Sequence, residues 1–180
     1  MKDLMLDIET LGVRTTSVII QIGACSFDRK TGTIGDTFVA NIDVDNSLQQ
    51  GLTVDWSIIK WWIEQIRGGN PADWMDDAQP LKSVLESLAA TYKKINYVWS
   101  HSTFDIPILV NAYNAVGLKL PFHYRFTRDI RTLTHLAKHQ KNEKETFGKK
   151  KEDDKTHNAL DDCLYQIEYC VECFNKLKGK

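Results

Sequence analysis

The segment KDLMLDIETLG (residues 2–12) constrains the fold of this chain more than any other stretch. Leu4 to Ile8 is an apolar run of strand length, yet Asp7 and Glu9 are set into its end. Side chains two apart on a strand face the same way, so a strand that continues through Glu9 projects both carboxylates together. An unpaired buried charge is costly, and a second like charge beside it adds to the cost. The nearest basic residues, Lys2 and Arg14, lie outside the strand. Two arrangements are open from this stretch alone. Either the strand ends at Ile8 and both acids are solvated, or a divalent cation with oxygen ligands compensates them.

The chain of 180 residues suits one domain with one sizeable core. Hydrophobic residues make up 42% and charged residues 26%, so the composition is that of a soluble globular protein. No apolar run approaches the roughly 18 residues of a membrane span. MKDLML runs straight into Asp7 and Glu9, which leaves no apolar core for a signal peptide. A cytoplasmic setting, with no membrane partner, is the default expectation. The net charge of −1 gives no global basic footprint for nucleic acid, although a local patch can supply one. Cys25, Cys163, Cys170 and Cys173 are expected as reduced thiols. Cys170 and Cys173 form a C-x-x-C pair without the second pair that zinc usually needs, late in a helix, so they read as packed thiols.

Strands are predicted over 3–8, 17–27 and 34–42, the last two joined by a turn at RKTG. Helical spacing runs from Trp56 to Ile66, with Thr53 or Asp55 as cap. Pro80 opens a helix to about Tyr92. YVWS (97–100) reads as a short buried strand, and a helix follows from about Phe104 to Val116, ended by Gly117. RFTRDIRTLTHLAKH holds a short strand or loop and then a helix. Residues 141–155 are charged and nonperiodic, and are expected to form a mobile loop. The last helix spans about Asn158 to Leu177. Locally paired strands followed by alternating strands and helices predict an α/β fold, a mixed sheet flanked by helices in a single domain.

Two further stretches carry chemistry. In WSHSTFDIPIL, Asp105 follows an apolar strand and a polar turn at the mouth of a helix. It can cap that helix, with Pro107 in the first turn, or face a site at the strand's end. In KTHNALDDCLYQIEYCVECF, the apolar stripe Leu160, Leu164, Ile167, Val171 and Phe174 has clear helical spacing. Asp161 shares a side with Glu168 and Glu172 and is expected in water. Asp162 shares the other flank with Gln166 and Tyr169, the better candidate for a site. His157 can converge with Asp162 only from the loop before the helix, because five residues on a helix separate them by about 140°.

Asp7-x-Glu9, then Phe104-Asp105, then His157-x-Ala159-x-x-Asp162, taken in that order, resembles the DEDDh family of 3′–5′ exonucleases, whose fold is RNase H-like (ribonuclease T-like) with a five-stranded mixed sheet. The match covers nearly the whole chain. WWIEQ (61–65) and RDIRTL (128–133) are similar to small exonucleases of bacteriophages and bacteria, the DexA-type enzymes and related exoribonucleases. One position departs: many relatives carry Asn where this chain has His101.

The resemblance implies a metal-dependent phosphodiester hydrolase acting at the 3′ end of single-stranded DNA or RNA in a bacterial or phage-infected cytoplasm, often as a homodimer, and releasing 5′-monophosphates. Two divalent cations, Mg²⁺ or Mn²⁺, would be held by Asp7, Glu9, Asp105 and Asp162, with Asp7 bridging both. Zinc is not the expected ion at an all-oxygen site. His157 would act as general base, a task for which its ordinary pKa suits it. Thr10, Leu11 and Gly12 would hold the terminal nucleotide, Leu11 as a wedge against a base. His101, Phe104 and Trp61 complete the expected substrate contacts, although core packing competes for Phe104 and for at least one of Trp61 and Trp62. Arg128 and Arg131 are open between phosphate contact and pairing with acids. The lysines at 149–151 stand just before His157, where they can draw in a phosphate backbone or simply be solvated. Two rivals share the fold: a binding module without turnover, and a proofreading subunit of a polymerase.

Overall fold

The computed structural model describes residues 2–92, 95–139 and 157–179. β1 (Asp3–Thr10) pairs antiparallel with β2 (Ile19–Phe27), and β2 pairs antiparallel with β3 (Ile34–Asn41). On its other side β1 takes β4 (Tyr97–Ser100) in parallel, and β4 takes β5 (Thr127–Asp129) in parallel. The sheet order is therefore β3-β2-β1-β4-β5, the expected mixed five-stranded sheet.

Alternation along β1 sorts the two faces. Leu4, Leu6 and Ile8 join the larger core, while Met5 joins a second core on the opposite face. The larger core packs under α1 (Val44–Gln49), α2 (Trp56–Arg67), α3 (Leu81–Thr91) and α4 (Asp105–Ala115). The second packs under α5 (Ile130–His139) and α6 (Ala159–Leu177). Asp3, Asp7 and Glu9 have the parity of Met5, so they face α6.

β1 runs two residues past the expected end, to Thr10. The strand therefore does not end at Ile8: Asp7 and Glu9 both lie on it. Asp7 stands opposite Gly23 of β2, on the same face. A Cβ at Gly23 would lie 2.3 Å from the Ala159 carbonyl, so glycine here lets the start of α6 touch the sheet beside Asp7. Gln21 of β2 anchors the same helix start: its Oε1 accepts from the Ala159 N–H at 2.7 Å.

Several local expectations hold in detail. Asp55 caps α2 by accepting from Ser57 N–H at 2.9 Å, and Asn158 caps α6 by accepting from Leu160 and Asp161 N–H. All four cysteines are free and buried. Others differ. Pro80 is the N-cap of α3 and not within its first turn; Asn46 Oδ1 accepts from Leu81 N–H at 3.0 Å in place of a local cap. α1 was not expected, because six residues are too few to display a helical stripe. The charged segment 141–155 lies outside the described residues. No helix among the described residues is long and apolar enough to cross a membrane.

Candidate active site

Three elements deliver the four acids to one cleft of about 450 Å³. β1 brings Asp7 and Glu9, the start of α4 brings Asp105, the first turn of α6 brings Asp162, and the residue two before α6 is His157. Ligand atoms of Asp7, His101 and Asp105 lie within 4.8 Å of one another, and so do those of Glu9, His157 and Asp162. His157 reaches Asp162 because Asn158, as cap, holds the chain out of helical geometry there (φ −115°, ψ 121°).

Asp105 does not cap its helix. Phe104 occupies the cap position, and Asp105 is the first helical residue, held by its own N–H to the His101 carbonyl at 3.1 Å. Its carboxylate therefore remains available to the cleft. It is only 2% exposed, and its Oδ2 is buried without a hydrogen-bond partner among the described residues. Burial first, then the charge of Asp7, push the Asp105 carboxyl well above the usual carboxylate range; Arg131 and the backbone bond at His101 oppose this. Burial and then Arg131 push His101 down to about 4, so its imidazole is neutral at pH 7.

The flank of α6 that carries Asp162 also lines the cleft with Tyr165, Gln166 and Tyr169. Gln166 Nε2 donates to Asp7 Oδ1 at 2.7 Å, which fixes that carboxylate against the helix. This clamp was not foreseen, although the grouping of Gln166 and Tyr169 beside Asp162 was readable from the helical wheel. Asp161, one residue away, is exposed as expected.

The two arginines of RDIRTL separate. Arg128 donates to the Arg125 and Thr127 carbonyls and stacks over Tyr97 at 4.3 Å. Arg131 lines the cleft. Asp129 supports the frame: it accepts from Thr132 N–H at 2.9 Å and from Ser102 Oγ at 3.1 Å.

Of the expected substrate contacts, His101 and Phe104 line the cleft. Thr10, the last residue of β1, and Leu11 and Gly12 just beyond it are buried and are not among the lining residues. Leu11 is 6% exposed and packs into the larger core. A Cβ at Gly12 would lie 2.5 Å from Ser17 Oγ, so the turn is tightly folded. Trp62 is the core residue of the tryptophan pair; its Nε1 donates to the Thr10 carbonyl at 3.0 Å. Trp61 is 37% exposed and its ring stands against His157.

The donor set fits divalent cations. Four carboxylates converge with a single arginine among the described lining residues, and a buried carboxylate oxygen has no partner there. Hard cations prefer such oxygens.

The chain matches the model of the 3′–5′ exoribonuclease Rv2179c-like domain over residues 2–174. No curated protein matches it. Among solved structures, E. coli exonuclease I in complex with a dT13 oligonucleotide is similar with a TM-score of 0.72 at 12% identity, over 98% of this chain and 42% of that one. Exonuclease I from Methylocaldum szegediense gives 0.69 at 13%, over 98% and 42%. Cell-death related nuclease 4 (CRN-4) gives 0.67 at 17%, over 96% and 63%. The chain spans less than two thirds of each of these structures, and at such identities the likeness shows the exonuclease (RNase H-like) fold. With the family model covering nearly its whole length, this chain belongs to the 3′–5′ exoribonuclease Rv2179c-like family, nucleases of the DEDDh type.

Proposed function

We propose that the protein removes nucleotides one at a time from the 3′ end of single-stranded nucleic acid, releasing 5′-monophosphates. RNA is the favoured substrate, since the matching family is one of exoribonucleases. The observation that carries the reading is the convergence of Asp7, Glu9, Asp105, Asp162 and His157 on one cleft from distant parts of the chain.

Asp7, Glu9, Asp105 and Asp162 would hold two divalent cations, Mg²⁺ or Mn²⁺. When bound, such ions lower the pKa of water and neutralise charge on the phosphate. The remaining work belongs to the chain. Gln166 holds Asp7 in one orientation, so the central carboxylate needs no rearrangement. His157, at the cleft and outside the helix, takes the proton of the attacking water. Arg131 faces the departing phosphate charge. Phe104, partly buried at the cleft wall, offers a flat apolar surface to the terminal base.

The test is digestion of matched RNA and DNA single strands, labelled at the 5′ end, with Mg²⁺ or Mn²⁺. A ladder shortening from the 3′ end with mononucleotide products is expected, faster on RNA. No mononucleotide from either polymer with either ion rules the reading out.

A further inference from the structure

We propose that His101 is a metal ligand, which gives the Asp7–Asp105 half of the site one nitrogen donor and a preference for Mn²⁺ over Mg²⁺. The inference rests on the proposed reading of the cleft as a cation site and adds a residue that this reading does not need.

Three observations carry it. An imidazole nitrogen of His101 and a carboxylate oxygen each from Asp7 and Asp105 lie within 4.8 Å of one another, a span that one cation can bridge. Asp105 Oδ2, in the same group, is buried with no hydrogen-bond partner among the described residues. The spacing between His101 and Asp105 is set by backbone: the His101 carbonyl accepts from Phe104 N–H at 2.7 Å and from Asp105 N–H at 3.1 Å. Ser100, just before, is fixed by pairing with Asp129 across β4 and β5. The imidazole is thus presented by a closed turn at the end of a strand, and is half-buried in the cleft lining.

The chemistry gives the selectivity. Mg²⁺ takes oxygen donors in near-ideal octahedral geometry and gives up its waters reluctantly. Imidazole suits transition metals, and Mn²⁺ accepts both carboxylate and imidazole ligands. The asparagine that many relatives carry at this position presents an amide. The expectation of an all-oxygen site, drawn from the acids alone, is replaced by one of mixed donors. Besides Asp7 and Asp105, Arg131 and Asp129 are charged neighbours of His101; the carboxylate of Asp129 is already bonded to Ser102 and Thr132, and it supports the turn without joining the group.

The test measures metal binding with no nucleic acid present. Mn²⁺ is added to the metal-free full chain, and electron-spin-echo modulation reports nitrogen directly bound to the ion. Nitrogen modulation is expected in the parent and in H157A, and is lost in H101N. Calorimetry on H101N is expected to show Mn²⁺ affinity about tenfold weaker, with Mg²⁺ affinity within about twofold of the parent. Circular dichroism verifies folding, and H101Q replaces H101N if the latter does not fold. A parent without nitrogen modulation overturns the assignment, as does modulation that persists in the folded H101 variant or that vanishes in H157A. Because no readout uses turnover, an inactive protein with His101-bound Mn²⁺ refutes only the proposed function. An active one without that nitrogen refutes only the ligand.

Discussion

The Trp61 indole stands edge-on to the His157 imidazole, ring centroids 4.7 Å apart, with Trp62 5.8 Å from the same imidazole. Trp62 is itself tied to the Thr10 carbonyl, so α2 couples the end of β1 to the proposed general base. Trp61→Ala is expected to lower kcat about tenfold by loosening His157, with KM less affected. Trp61→Phe is expected to recover part of the loss. Steady-state kinetics on an oligonucleotide separates the roles: a change confined to KM would show that the indole serves as a stacking surface for a base.

Removing charge from the cluster is expected to cost activity and improve metal-free stability. Asp7→Asn keeps an acceptor for Gln166 but lowers turnover at least about 10³-fold. In EDTA the same variant gains about 1 kcal/mol, because Asp7 no longer repels Asp105. Urea titrations of both proteins give the comparison. A less stable Asp7→Asn in EDTA would mean that the carboxylate is compensated within the protein.

The two adjacent aspartates of α6 are expected to behave oppositely. Asp162→Ala abolishes turnover. Asp161→Ala leaves it intact, since that side chain is exposed and contributes at most about 0.3–1 kcal/mol at the helix start. A dead Asp161→Ala enzyme would show that the other side of the helix faces the chemistry.

Gly23→Ala tests the contact that seats α6. The added Cβ would lie 2.3 Å from the Ala159 backbone, which cannot swing aside as a flexible side chain does. A loss of about 1–3 kcal/mol is expected. Activity is expected to fall further than stability, because Asp162 and His157 move with the helix. Full activity in a folded Gly23→Ala protein would contradict the close approach.

pH reports on Asp105. Its carboxyl is raised in the folded state, by burial first and then by Asp7. The folded metal-free protein therefore holds this proton more tightly than the unfolded chain. Its stability contribution is fully present below the ordinary carboxylate pKa and is lost as pH rises through the folded value. Urea midpoints in EDTA, from about pH 4 to about pH 8, are expected to fall along this branch and to fall less in Asp105→Asn. Equal slopes in the two proteins would remove Asp105 as the cause.

Much of the fold was readable because it is written locally. The alternation along β1, the run at β2, and the caps Asp55 and Asn158 each use residues within a few positions of one another, whereas α6 buries Cys163, Gln166, Ile167, Cys170 and Cys173 and leaves Leu160, Leu164, Val171 and Phe174 of its stripe only partly buried. α1 was missed because six residues carry no period, and the cap position of Pro80 was missed because the partner that replaces a local cap, Asn46, is far away in sequence. The acids and His157 were legible as a pattern through resemblance to a family. The Gln166 clamp on Asp7, the placement of His101 with Asp7 and Asp105, and the contact of Trp61 with His157 were not.

By itself, the sequence determined the alternation of β1, where the side-chain-capped helices α2 and α6 start, and that Asp7 and Glu9 would point together if their strand continued. The tertiary structure alone decided that the strand does continue, that Asp105 faces the cleft without capping its helix, and that Arg131 and not Arg128 reaches it. The reason is one of range. Periodicity and capping act over a turn or two of backbone, whereas a site is fixed by contacts between elements, here the bare backbone of Gly23 against Ala159, which no local pattern encodes.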